Sequence, residues 1–428
     1  MKDTIISVLK GSLFKETFIY TATDMIGKAM AFILLPIVSF YMPPAELGIA
    51  TNFTVLTGLI ILLSGLAIVN SLFYFFYEQN KNENNQMVSN SILLCIILSC
   101  TIGSLMLLCH RIIETYLMLD RKIQLLSMAF VIGSLISQAN LNVLRLENKA
   151  KQYAALQVLQ IVLHAIVVLF FVVTLKGGGI GKIYAEVLVF SFIGSIHFAF
   201  LMRKGYLKLK ASVAWMKKLL SFGLPLLPHS LSFWLKGGMD KILITTYCGL
   251  QFNGLYSMAL SISSIYTMLI QSFFNAYIPY LQKRLSFNGE AIDEKKRIVK
   301  QIYLIISIFA LIAIISLGGC WFVFNYMIDS KYLTAYQYLP VIFLANFVYT
   351  FYSFTIQFIY KAKKTFVMGI ITFTASLTQM ALTFWFVQLF GVMGAVYSLL
   401  LGNCLITVGI SLYSNYVYPM PWVSFNRK

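Results

Sequence analysis

Between Lys364 and Arg427 the chain contains no Asp, Glu, Lys, Arg or His. That uncharged run of 62 residues is far too long for one buried helix of a soluble domain. It has the length of two membrane spans of about 20 residues each, plus a turn. Composition extends the argument to the whole chain. Of 428 residues 59% are hydrophobic and 11% charged, where soluble domains average about 25% charged. In hydrocarbon every backbone polar group must be satisfied internally, which long apolar helices achieve. The expected class is an all-α integral membrane protein.

Apolar segments between polar breaks predict twelve spans, at about 17–41, 47–76, 88–109, 123–144, 153–175, 183–202, 219–247, 255–281, 301–327, 333–360, 365–388 and 392–415. An even number puts both termini on one side, and the basic residues choose it. The N-terminus and every second loop hold 24 of the 33 Lys and Arg residues, the opposite loops hold six, and three lie inside spans. The positive-inside rule assigns the basic side, with both termini, to the cytoplasm. The net charge of +18 thereby has a topological use, and nucleic acid is not expected as a partner. The start MKDTIISVLKGSLFKETF lacks a cleavage signature before the first span, so an uncleaved first helix is expected.

The chain reads as written twice. LENKAKQYA and IYKAKKTF share Lys-Ala-Lys at an offset of 212; GGIGKIYA and GVMGAVYS share G-x-x-G-x-[IV]-Y-[AS] at 213; Tyr41 and Gly48 are matched by Tyr247 and Gly254 at 206. The expected halves are 1–210 and 211–428, each a six-helix bundle. Six spans per half make them parallel repeats about an axis along the membrane normal, an arrangement suited to alternating access. Pro225 and Pro228, in SFGLPLLPHS, remove backbone donors and predict a break or hinge in the seventh span.

Charges inside spans are costly and mark function by default. The first span holds Asp24 and Lys28; the seventh, LSFWLKGGMDKILITTY, holds Lys236, Asp240 and Lys241. Asp24 with Lys28 and Lys236 with Asp240 are i,i+4 pairs, able to neutralise each other on one helix face. Lys28, Lys236 and Lys241 predict a cationic cavity for an anionic group, phosphate foremost. Asp24, Asp240 and Glu186, the last only one turn inside the sixth span, are expected to balance charge or to bind a coupling H+ or Na+. No metal site or other cofactor is expected.

At this point a resemblance is visible. MPPAELGIA, FGLPLLPHSLSFWLKGGMDKILI, NGLYSMAL and LRLENKAKQYA resemble segments of the multidrug/oligosaccharidyl-lipid/polysaccharide (MOP) exporter superfamily, and most closely its Wzx-type polysaccharide flippases. The resemblance implies a MATE-like bundle in a bacterial inner membrane. It also implies a substrate, an undecaprenyl-pyrophosphate-linked repeat unit of O-antigen, capsule or exopolysaccharide, moved from the cytoplasmic to the outer face. Membrane lipid and other polysaccharide-assembly proteins would be its partners, and it would work as a monomer without covalent chemistry.

Two other readings compete. An ion-coupled multidrug or cation exporter of the same superfamily needs a carboxylate-dominated cavity, whereas here intramembrane lysines outnumber aspartates three to two. A membrane polymerase or ligase needs acid/base or metal-binding groups beside the lipid head group. The chain has no D-x-D and no long outer loop, so an enzyme is not expected.

Overall fold

A computed structural model of the chain describes residues 12–422, apart from residue 67, 208–210 and 288–290. The expected cytoplasmic termini lie outside the described residues. Among those described there are fifteen α-helices and no strand. They are α1 Ser12–Tyr41, α2 Pro44–Gly65, α3 Ile68–Phe75, α4 Lys81–Leu108, α5 His110–Leu117, α6 Arg121–Leu146, α7 Ala150–Leu169, α8 Gly178–Arg203, α9 Val213–Gly223, α10 Leu227–Cys248, α11 Leu250–Phe287, α12 Ile292–Tyr326, α13 Leu339–Ala362, α14 Thr365–Phe390 and α15 Val392–Val417.

Eleven of the twelve expected spans are helical segments long and apolar enough to cross a membrane. The seventh is not among them. Its helix α10 has 22 residues, and any 18-residue stretch of it includes Lys236, Asp240 and Lys241. Outward faces are apolar where hydrocarbon would lie, as at Leu311, Ile314 and Ile315 of α12. The chain is a multi-pass membrane protein.

Packing divides the chain into residues 1–231 and 232–428. This division falls later than the repeat boundary expected at 210/211, because α9 packs on α3 and α4 of the first unit. Backbone Ser212 N donates to Asn90 Oδ1 at 2.7 Å, and Phe222 lies 4.7 Å from Tyr74 between ring centroids. Gly223 has no Cβ because one would sit 2.0 Å from the Leu66 carbonyl oxygen. The expected break follows at once: Leu224–Leu226 form a 3-10 turn containing Pro225, and α10 restarts with Pro228 at its second position.

In the first unit, α6 and α8 form the closest helix pair. A Cβ on Gly133 would lie 2.2 Å from the Phe190 carbonyl oxygen. Polar sequence signals close the turns. Asn80 caps α4 in a reciprocal pair with Glu83. Asp120 Oδ1 caps α6, accepting from Ile123 N at 2.9 Å, and Asn52 donates to the Leu117 carbonyl at 2.7 Å. In the second unit α15 packs on both α13 and α14, with Asn403 donating to the Ala345 carbonyl at 2.7 Å.

Two turns carry like backbone marks. Gly178 and Gly391 have φ of +56° and +58°, at the offset of 213 read from the sequence. One match needs correction. The left-handed residues of the corresponding turns are Asn148, between α6 and α7, and Lys363, between α13 and α14, an offset of 215 rather than 212. Lys149-Ala150-Lys151 opens α7, whereas Lys361-Ala362-Lys363 closes α13. The shared letters are not equivalent positions; only the turns are.

One polar clamp sits in the α6–α7 turn. Glu147 accepts from Tyr206 Oη at 2.7 Å and Lys204 Nζ at 3.0 Å, and pairs with Lys149 Nζ at 2.9 Å. Burial works to raise its pKa, but hydrogen bonds from Tyr206, Lys149 and Lys204 and the charge of Lys204 outweigh it and hold the carboxyl below its ordinary value. A carboxylate with a depressed folded pKa stabilises fully above its unfolded pKa, and that contribution is lost as pH falls through the folded pKa. Glu147→Gln is therefore expected to cost about 1–3 kcal/mol at pH 7 and progressively less toward acid. Thermal melts of both proteins at pH 7 and below pH 4 check this; a gap unchanged by acid would refute it.

Candidate functional site

Helix α10 has to satisfy three charges, and it does so against the helices beside it. A cavity of about 850 Å³ opens in the second unit, walled by α10, α11, α13 and α15. Its charged wall residues are Lys236, Asp240 and Lys241. Asp240 is buried, at 5% exposure. It accepts from Tyr256 Oη at 2.6 Å and from the backbone Lys241 N at 2.7 Å. Lys236 Nζ sits 4.3 Å from the ring centroid of Tyr349, and that ring stacks on Tyr352 at 4.7 Å. The i,i+4 pairing expected for Lys236 and Asp240 is thus replaced. A hydroxyl and a backbone amide supply the aspartate, and an aromatic face supports the ammonium. An i,i+4 pair contributes only about 0.2–0.5 kcal/mol on a helix surface, while a cation held over a ring out of water contributes up to about 2 kcal/mol.

Lys241 lines the same cavity. So does Asn403, whose side-chain Oδ1 is buried without a hydrogen-bond partner. The chemistry on offer is ammonium donors, tyrosine faces and carboxamides, which suits an anionic group joined to a polar, uncharged body.

The first unit carries a second charged group. Asp24 is paired with Arg145 at 3.1 Å, not with Lys28, which is exposed on α1. Tyr153 Oη donates to Asp24 Oδ1 at 2.9 Å, and Arg145 Nη2 donates in turn to the Tyr153 hydroxyl. The guanidinium carbon lies 4.6 Å from the ring of Tyr153 and 5.8 Å from that of Tyr20. Arg145 was not singled out in the sequence, because an arginine in the last turn before a basic loop reads as a topology signal. The available clue was LRLENKAKQYA itself, which contains both Arg145 and Tyr153.

Lys236, Lys241 and Asp240 belong to the second unit, and Asp24 and Lys28 to the first. Glu186, also in the first unit, pairs with Lys182 at 3.6 Å one turn away. His197, fully buried, is held by Asn140 at 2.8 Å.

Asp24→Asn keeps a side-chain oxygen able to accept from Tyr153 Oη and Arg145 Nη2, so it should cost less than about 1 kcal/mol. Tyr153→Phe, which removes a buried hydroxyl serving both partners, should cost more, about 1–2 kcal/mol. Melting the two variants beside the parent protein decides the order; the reverse order would make Asp24 a structural anchor.

Known proteins place this architecture. The family described as "Polysaccharide biosynthesis protein" matches residues 13–285. Protein 1 of the Lsg locus of Haemophilus influenzae is 25% identical over 390 residues, which is 87% of this chain and 92% of that one. A second H. influenzae membrane protein is 22% identical over 354 residues, 79% and 84% of the two chains. Among solved structures, a multidrug-resistance MATE family transporter of the MOP superfamily in an inward-facing conformation gives a TM-score of 0.72 at 18% identity. That match covers 96% of this chain and 99% of that one. A MOP superfamily transporter from Pyrococcus furiosus, described as having a binding pocket of reverse polarity, gives 0.54 at 17% identity, covering 96% and 97%. With its matched stretch spanning well over half the sequence, the chain belongs to the polysaccharide biosynthesis protein family, and it carries the transporter fold of the MOP superfamily.

Proposed function

We propose that the protein is a flippase moving undecaprenyl-pyrophosphate-linked oligosaccharide repeat units from the cytoplasmic to the outer face of a bacterial inner membrane by alternating access. The observation that carries this reading is the cavity of the second unit. Two of its three charged wall residues are lysines, and its one carboxylate, Asp240, is already engaged by Tyr256 and a backbone amide. Lysine binds phosphate as a point charge, and low local dielectric strengthens that attraction. A cationic drug would meet ammonium groups there, which disfavours the multidrug reading. Family membership supports a polysaccharide cargo.

The finer features belong to the same proposal. Lys28, Lys236 and Lys241 serve the anionic head group. Asp24 and Asp240 are the carboxylates at which a coupling H+ or Na+ would bind, and Glu186, tied to Lys182, balances charge. The proline-containing turn at 224–228 absorbs the motion. Twenty-four of 33 basic residues on one side support cytoplasmic termini, and a single copy suffices.

The test is a deletion strain. Its lipids are extracted, lipid-linked oligosaccharide is quantified, and the membrane face it occupies is determined. Accumulation on the cytoplasmic face, with surface glycan lost and restored by the gene, is expected. Unchanged glycan and carrier would overturn the polysaccharide reading and promote drug or cation export.

A further inference from the structure

Helix α9 has no place among the spans. Helix α10 has 22 residues, about 33 Å at 1.5 Å per residue, and so crosses a hydrocarbon core of about 30 Å unaided. The 11 residues of α9 are surplus to that crossing, and its two anchors give its height. At its start, backbone Ser212 N bonds Asn90, 18 residues before the end of α4. At its end, Gly223 lies against the Leu66 carbonyl, one residue past the end of α2. Measured from the side opposite the basic loops, these contacts fall at depths of about 27 and 33 Å. The two ends thus differ by about 6 Å over a helix of about 16 Å. Helix α9 lies closer to the membrane plane than to its normal, at the edge of the hydrocarbon on the basic side.

Its side chains suit that edge. Val213 is exposed, as are Leu224 just beyond the helix and Tyr74 on the helix beneath it. Trp215 is half-buried, and tryptophan and tyrosine favour the head-group level. Lys217 is exposed. Lys218 Nζ is held 4.4 Å from the ring centroid of Phe75 and 4.9 Å from that of Trp215. From Arg203 to Lys218 the chain carries six basic residues and no acidic one. The helices under α9 carry one carboxylate, Glu83, which is engaged in capping α4.

We propose that α9 is a seat for anionic lipid. Phosphate head groups of the leaflet on the basic side settle at Lys217 and Lys218, with Trp215 and Val213 sunk among the first methylenes below them. A snorkelling lysine on a flexible stem meets whatever head group passes. Here two adjacent ammonium groups share one in-plane helix, and one of them is fixed by two rings. The same helix runs into the 3-10 turn at Leu224–Leu226, so the lipid steadies the foot of that break. The inference does not depend on what the protein transports.

The experiment uses the full-length protein in phosphatidylcholine vesicles doped with either of two quenchers, brominated phosphatidylglycerol or brominated phosphatidylcholine. Trp215 is one of five tryptophans, and subtracting the signal of Trp215→Phe isolates it. A lysine beside an anionic leaflet contributes about fivefold in affinity, so the anionic lipid should quench Trp215 with at least about tenfold preference. Lys217→Gln combined with Lys218→Gln should bring that preference below about threefold. Quenching by the phosphatidylcholine probe should stay as in the parent, which verifies that α9 keeps its place. Lys361→Gln with Lys363→Gln, in another basic loop, should leave the preference intact. Equal quenching by the two lipids in the parent would overturn the proposal. An equal loss in the Lys361/Lys363 variant would overturn it too, replacing the seat by the diffuse potential of the whole basic surface. Quenching by neither lipid would turn this face to water or to a partner protein, and the proposal would fall.

Discussion

On the proposed flippase reading, replacing Lys236 by alanine is expected to slow movement of the lipid-linked glycan at least thirtyfold. Truncating one member of a desolvated charge pair costs about 2–5 kcal/mol, and each 1.4 kcal/mol is a factor of ten. The ammonium sits over Tyr349 in a cavity wall, where water cannot replace it cheaply when a diphosphate arrives. Lys236→Arg keeps the charge but not the compact shape, so it should recover part of the rate. Tyr349→Leu removes the ring beneath the ammonium and should fall between the two. The measurement is surface glycan restored to the deletion strain at matched protein level. A Lys236→Ala variant with parental activity would remove the cationic cavity from the mechanism.

The second large effect is structural. Gly133→Ala should lower stability by about 3 kcal/mol, since the new methyl would sit 2.2 Å from the Phe190 carbonyl oxygen and α8 would have to move. Overpacking of a side chain costs about 1–3 kcal/mol, and a clash with backbone has no rotamer to relieve it. For a unit of this size that is a fall in Tm of roughly 6–12 °C. Gly318→Ala is the control. It is a mid-helix glycine with open space around its absent Cβ, and the change should be neutral or raise stability by up to about 1 kcal/mol. Equal melting of the two variants would mean that α6 and α8 are free to separate.

How much of this could be read beforehand follows from the range of each interaction. Spans were legible because the run after Lys364 leaves hydrocarbon as its only environment. The break at Pro225 was legible because a missing donor acts on its own helix. Partners were not. Asp24 and Lys28 share a helix face, yet Asp24 pairs with Arg145, 121 residues away, because a tertiary guanidinium held by Tyr153 offers more than a neighbour on a flexible stem. Asp240 likewise found Tyr256 on the next helix. The Lys-Ala-Lys match misled for a related reason: a repeat conserves the turn, whose left-handed residues are Asn148 and Lys363, while the lysines around it answer only to the basic side.

The hydrogen bond from Tyr256 to Asp240 also bears on how the chain is made. As α10 leaves the ribosome it presents the translocon with three charges, each costing about 2.5–3.5 kcal/mol near the centre of a helix. The hydroxyl that relieves Asp240 lies sixteen residues further on, within α11. Helix α10 is therefore expected to enter lipid together with α11, which brings the partner of Asp240, rather than before it.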